Sequence, residues 1–155
     1  SKTMHTIDTG DAAPIKQNMR RVPLQFRGEE EGLLKRMLDA GVIQPSTSSW
    51  ASPCVLVRKP DGSVRWCVDY RALNNVTKKD AYPLPLIDEC IDAVGGSAFM
   101  STLDLINGFW QILLDPKDRH KTAFVTKYGH FEFVRMPFGL CNSGATFQRA
   151  IQLVL

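Results

Sequence analysis

The chain has 155 residues, 44% of them hydrophobic and 23% charged, with 19 Lys or Arg against 16 Asp or Glu and a net charge of +3. That length buries one domain core. No apolar run approaches the roughly 20 residues of a membrane helix, and Ser1 to Gly10 lacks the basic-then-apolar layout of a secretion signal. The expectation is therefore a soluble, intracellular protein, cytoplasmic or nuclear.

Residues 1–27 are polar, hold Pro14 and Pro23 and carry the Arg20-Arg21 pair. They predict an extended N-terminal arm with one short strand at most. Within the arm, Asp8-Thr9-Gly10 has the form of an aspartic-protease half-site. Such a protease needs two carboxylates sharing a proton, and no strand-rich protease body follows. A turn with Gly10 at positive φ is the better reading. From Gly28 to Ala40, Leu33, Leu34, Met37 and Leu38 recur at helical spacing, and Gly41 stops the helix. Glu29, Glu30 and Glu31 read as its solvated first turn, at the positive end of the helix dipole.

Pro45 to Ser49 reads as a loop. Val55–Arg58 and Val64–Asp69 then read as strands around Pro60-Asp61-Gly62-Ser63, a hairpin turn in which Asp-Gly supplies positive φ. Asp80 to Pro85 is extended, Ile87–Val94 is helical, and Gly95-Gly96 ends that helix. Ala98–Leu105 is a buried strand, and Phe109–Leu113 leads into a short helix or turn near Pro116. Thr122–Thr126 and Phe131–Arg135 pair around Tyr128-Gly129, and Ala145 begins the last helix. This mixed order predicts an α+β fold.

Cys54, Cys67, Cys90 and Cys141 are widely spaced and form no Cys-x-x-Cys pair. They read as reduced thiols rather than a zinc site or a disulfide framework. The positive charge is uneven: residues 1–80 hold 13 Lys or Arg against 9 Asp or Glu, whereas residues 81–155 hold 6 against 7.

The chemistry-bearing stretch is Ser101-Thr102-Leu103-Asp104-Leu105-Ile106-Asn107-Gly108-Phe109. A strand that delivers one carboxylate and then turns to present an aromatic ring suits metal-assisted nucleotidyl transfer. Hard divalent cations prefer carboxylate oxygens, and two metals stabilise the attacking and leaving oxygens of an in-line displacement. Around it stand Ala40-Gly41-Val42-Ile43-Gln44-Pro45, Trp50-Ala51-Ser52-Pro53, Arg58-Lys59-Pro60-Asp61-Gly62, Cys67-Val68-Asp69-Tyr70-Arg71-Ala72-Leu73-Asn74, Tyr82-Pro83-Leu84-Pro85, Lys121-Thr122-Ala123-Phe124 and Met136-Pro137-Phe138-Gly139-Leu140-Cys141-Asn142. In this order they resemble the fingers and first part of the palm of a reverse transcriptase, most closely that of gypsy-type LTR retrotransposon Pol polyproteins.

The resemblance implies fingers plus a partial palm of a right-hand polymerase, divided as arm 1–27, fingers-like 28–97 and palm 98–155. It implies Asp104 as the catalytic, metal-binding carboxylate for Mg. Lys59 and Arg65 are implied to hold the triphosphate of the incoming nucleotide. Leu105, Phe109, Phe138 and Gly139 are implied to line the nucleotide site, with Phe109 beneath the sugar excluding a 2′-hydroxyl. Arg58, Asp69 and Arg71 are implied to meet an RNA or DNA template-primer. The family's Tyr-x-Asp-Asp hairpin, with the other two metal-binding carboxylates, does not occur in these residues. The expectation is thus a fragment that does not polymerise alone. Its alternative is a domesticated derivative serving as a nucleic-acid-binding or protein-interaction module, able to self-associate through an unfinished palm edge. Gly144 stands where the family commonly has Pro, which predicts a looser start to the last helix.

Overall fold

The structure, a computed structural model, describes residues 3–81 and 108–154. The part of the expected extended stretch from Tyr82 to Pro85, the helix over Ile87–Val94 with Cys90 and its Gly95-Gly96 stop, the strand over Ala98–Leu105 and the site residues Asp104 and Leu105 fall outside them.

The described residues form one five-stranded sheet ordered β1-β5-β4-β2-β3, with β1 Ile43–Pro45, β2 Ser52–Arg58, β3 Val64–Val68, β4 Phe124–Thr126 and β5 Gly129–Phe133. All pairs are antiparallel except β2 with β4. Strands from both halves of the sequence therefore share one sheet, and Phe124 at its centre is fully buried among Phe131, Phe133 and Trp66. The mixed architecture is α+β.

The described residues also include helices α1 Arg27–Asp39, α2 Arg71–Val76 and α3 Ser143–Val154, the last packing Phe147 and Ala150 against Phe109, Ile112 and Met136. Helix α1 buries Leu34 and Met37, one turn apart on the same stripe. It ends at Gly41, whose φ of +72° lets the Val42 N–H reach back to the Met37 carbonyl at 2.9 Å. Glu30 is a correction to the solvated first turn. It is 4% exposed, and its Oε2 accepts the Trp66 indole N–H at 2.7 Å, tying α1 to β3.

Other differences have local causes. Pro45 ends an edge strand rather than lying in a loop, where its missing N–H costs no ladder bond. Helix α2 holds six residues and one buried apolar side chain, Leu73, too few to show a period. Thr122 belongs to a 3-10 helix, Pro116–Thr122, rather than to β4. It acts as a hub: its hydroxyl donates to the Arg119 carbonyl and accepts the Phe133 N–H, and its carbonyl accepts the Tyr70 hydroxyl. Helix α3 starts at Ser143, two residues before the expected Ala145, and runs through Gly144.

The N-terminal arm makes single bridges rather than a strand, His5 with Leu114 and Lys16 with Ala51. It is held firmly nonetheless. Asp118 accepts the Ile7 N–H at 2.9 Å, and Lys121 donates both to the Ile7 carbonyl at 2.6 Å and to Asp118 at 2.9 Å. An ion pair thereby grips one residue's backbone from both sides. Asp8-Thr9-Gly10 is a turn, with Gly10 at φ +53° and its N–H on the Asp8 carboxylate.

Candidate nucleotide and nucleic-acid site

The hairpin tip is built by Asp61. Its Oδ1 accepts the Ser63 N–H and hydroxyl, and these bonds hold its carboxyl below the usual carboxylate range. Gly62 takes φ +87°, so the chain reverses and the Lys59 N–H closes onto the Ser63 carbonyl at 2.8 Å. Along β3 successive side chains alternate in direction. Trp66 turns to α1 and Phe124, while Arg65 reaches across to Phe138.

The Arg65 guanidinium lies 4.7 Å from the centre of the Phe138 ring. Phe138 stacks on Phe109 at 5.8 Å between centroids, and Phe109 tilts against Phe147 at 4.9 Å. Cation and three rings thus form a continuous column from the β3 strand to α3. Phe138 is 47% exposed at its outer end, whereas Phe109 is 5% exposed and forms the floor. Beneath it Met136 and Ile112 complete a small apolar cluster. A cavity of about 260 Å3 adjoins the column and is lined by Lys59, Arg65, Trp66, Trp110 and Phe138 among others. Gly108 permits the close approach here, because a Cβ on it would sit 2.8 Å from the Phe147 ring.

Gly139 follows Phe138 at φ +102°, a conformation that glycine alone adopts without strain. A Cβ there would also meet Tyr70 at 3.7 Å and the Val68 carbonyl at 3.8 Å. The turn is therefore seated on the end of β3. Five residues expected at a nucleotide site, Lys59, Arg65, Phe109, Phe138 and Gly139, surround this one region.

Asp69 and Arg71 lie at the far end of β3. Asp69 is 8% exposed and accepts two bonds from the Arg71 guanidinium, at 2.9 and 2.7 Å, with Arg20 3.3 Å away. The Arg71 hydrogen bonds, with help from the Arg20 charge, hold the Asp69 carboxyl below its usual range, against the opposing effect of burial. Asp69 therefore orients two arginines, and the exposed guanidiniums form the outward surface. Arg58 is exposed at the end of β2, opposite Val64.

Sequence reasoning missed Asn74, Asn142 and Ser143. Asn74 holds the Gly139–Cys141 turn by both ends of its amide, and the Ser143 hydroxyl donates to the Pro137 carbonyl at 2.9 Å. Their signal was faint: polar side chains beside tight turns, which commonly face solvent. Among the described residues no group of three or more His, Cys, Asp and Glu is arranged to hold a metal ion. No described helix is long and apolar enough to cross a membrane.

Residues 57–155 match the family model described as reverse transcriptase (RNA-dependent DNA polymerase). The chain belongs to the reverse transcriptase family. It is 40% identical, over 97% of its length, to a Drosophila melanogaster protein, the retrovirus-related Pol polyprotein from transposon 297. It is 36% identical, again over 97%, to that from transposon gypsy. It is 39% identical over 92% of its length to the enzymatic polyprotein of cauliflower mosaic virus, strain Strasbourg. The chain spans 15% of each of the two fly polyproteins and 21% of the viral one.

Its reverse transcriptase fold also matches solved structures. The native prototype foamy virus protease-reverse transcriptase aligns with a TM-score of 0.76 and 26% identity, covering 98% of this chain and 20% of that one. The foamy viral protease-reverse transcriptase in complex with RNA/DNA hybrid aligns with a TM-score of 0.77 and 23% identity, over the same shares. The α+β sheet and its helices are thus part of a polymerase fold.

Proposed function

We propose that these residues form the fingers and the start of the palm of an RNA-directed DNA polymerase, and that the Arg65–Phe138–Phe109 column receives the incoming deoxynucleotide. The observation that carries this reading is the column itself, which unites a cation from the hairpin with an exposed ring from the turn. Guanidinium groups bind phosphate oxygens in a bidentate fork, and the exposed edge of an aromatic ring packs favourably against the face of another aromatic system.

In this reading Arg65 and Lys59 hold the triphosphate, and Phe138 with Gly139 borders the base. Phe109 lies beneath the sugar, and the resemblance adds Leu105 to the same nucleotide site. By the resemblance, Asp104 would help hold a magnesium ion, which would supply Lewis-acid stabilisation of the reacting phosphoryl oxygens. Metal chemistry needs carboxylates in addition to Asp104, so the role proposed for the residues of the column is to bind and orient substrate. Arg58 and Arg71 meet the phosphates of template and primer, and Asp69 fixes the direction of Arg71.

Binding of a fluorescent template-primer, followed by anisotropy across a salt series, tests the reading. Affinity should fall steeply with salt and depend little on sequence, because phosphate contacts release counterions. Arg58→Ala combined with Arg71→Ala should weaken binding by roughly 1–3 kcal/mol, the size of charge-assisted hydrogen bonds. Salt-independent binding, or a double mutant that binds as the parent does, would overturn it.

A further inference from the structure

Two asparagines brace the turn of the site against the segment that follows α2. Asn74 donates from Nδ2 to the Gly139 carbonyl at 2.9 Å and accepts the Cys141 N–H on Oδ1 at 2.9 Å. Asn142 reciprocates, donating to the Lys78 carbonyl at 2.8 Å and accepting the Asp80 N–H at 2.9 Å. Each amide engages the backbone of the other's segment with a donor and an acceptor, as paired strands do, where no strand is formed. Among small side chains a primary amide is suited to this bridging, because a carboxylate has no donor and a hydroxyl cannot span both groups.

The brace matters because of what it holds. Phe138 is half-exposed, and its ring touches Arg65 on one side and Phe109 on the other. The direction in which the ring is offered depends on the backbone around it. Ser143 fixes that backbone at Pro137, and Asn74 fixes it at Gly139 and Cys141. Gly139, at φ +102°, is the most permissive link in the turn, so an external clamp is needed there.

We propose that Asn74 is a positioning residue: its amide presents the exposed edge of the Phe138 ring to the base of a nucleotide whose triphosphate Arg65 and Lys59 hold. This rests on the nucleotide reading above. Asn74 touches no substrate itself. It contributes to base recognition alone, because both hydrogen bonds of its amide go to the turn while the cations sit on the hairpin.

The test compares two probes, deoxyguanosine triphosphate and inorganic tripolyphosphate, titrated calorimetrically into the 155-residue chain. The parent chain should bind the nucleotide more tightly than tripolyphosphate. Asn74→Ala should weaken nucleotide binding about fivefold or more, as expected for losing an aromatic edge contact with the base, and leave tripolyphosphate binding unchanged. Ser48→Ala removes two side-chain hydrogen bonds away from this turn, one to the His120 carbonyl and one from the Trp50 N–H, and should keep the parent's ratio of affinities, which separates positioning from general destabilisation. Asn74→Asp keeps the acceptor for the Cys141 N–H and loses the donor to Gly139. It should reproduce the loss of ratio, and it serves in place of Asn74→Ala if that variant does not fold. Should the parent and Arg65→Ala behave as the nucleotide reading requires while both Asn74 variants keep the parent's ratio, or lose both probes equally, the role of Asn74 is overturned and the nucleotide reading stands. Should the parent bind neither probe, or Arg65→Ala bind both undiminished, the nucleotide reading fails and the role of Asn74 fails with it.

Discussion

His5 is 1% exposed, and its Nδ1 lies 2.7 Å from the Thr146 hydroxyl. Burial pushes its pKa down to about 4 from an ordinary 6.5, although the charges of Asp118 and Asp80 oppose the shift. Between those two values the unfolded chain binds the proton and the folded chain does not, so stability rises with pH. The contribution is complete above pH 6.5 and is lost as pH falls towards 4. A shift of this size corresponds to about 3 kcal/mol. Denaturant unfolding at a series of pH values should show that slope, and His5→Asn should flatten it. Asp69 acts in a separate, lower window. Its carboxyl is depressed mainly by the Arg71 hydrogen bonds, so its contribution persists above the ordinary carboxylate range and disappears in stronger acid. At this scale the sequence was readable where backbone geometry dictated the residue. Gly10, Gly41 and Gly62 all take the positive φ that their turns imply. It was unreadable where a polar side chain found a distant partner. Nothing near Glu30 indicates that an indole from β3 will meet it, and nothing near His5 points to Thr146.

Helix α1 and the β2–β3 hairpin were legible as elements, because a 3.6-residue stripe and an Asp-Gly turn between short apolar, β-branched runs are strong local patterns. Strand β1 and helix α2 were not, because their order comes from neighbours. β1 is held by β5, and α2 is started by the Asp69 carboxylate accepting the Arg71 N–H at 3.1 Å. The bond between Glu30 and Trp66 joins two of the legible elements and steadies the hairpin that carries Arg65. Glu30→Ala leaves the indole N–H without its partner and should cost roughly 1–3 kcal/mol. Glu30→Gln keeps a carbonyl acceptor and should cost less. Chemical unfolding measures the difference, and hydrogen exchange should show the amides of β2 and β3 opening sooner in the alanine variant. Equal stability in both variants and the parent would show that the bond carries no weight.

Across the whole molecule, the fold draws together residues that the sequence keeps far apart. β2 pairs with β4 in parallel, which brings the hairpin beside the strands that lead to Phe138. The grip of Asp118 and Lys121 on Ile7 joins the N-terminal arm to that same body. These are contacts of long sequence separation, and local propensity does not encode them. The resemblance to reverse transcriptases supplied the candidate residues of the site, and the structure adds that Arg65, Phe138 and Phe109 form one stacked column.

That column is the centre of the nucleotide reading, and photocrosslinking tests it most directly. 5-Iododeoxyuridine triphosphate, irradiated with the chain and mapped by mass spectrometry, should label the peptide around Phe138 or Phe109. Tripolyphosphate should compete with the labelling, and Arg65→Ala should abolish it. Labelling elsewhere, for example in the groove lined by Arg20, Arg21 and Arg27, with no loss in Arg65→Ala, would contradict it.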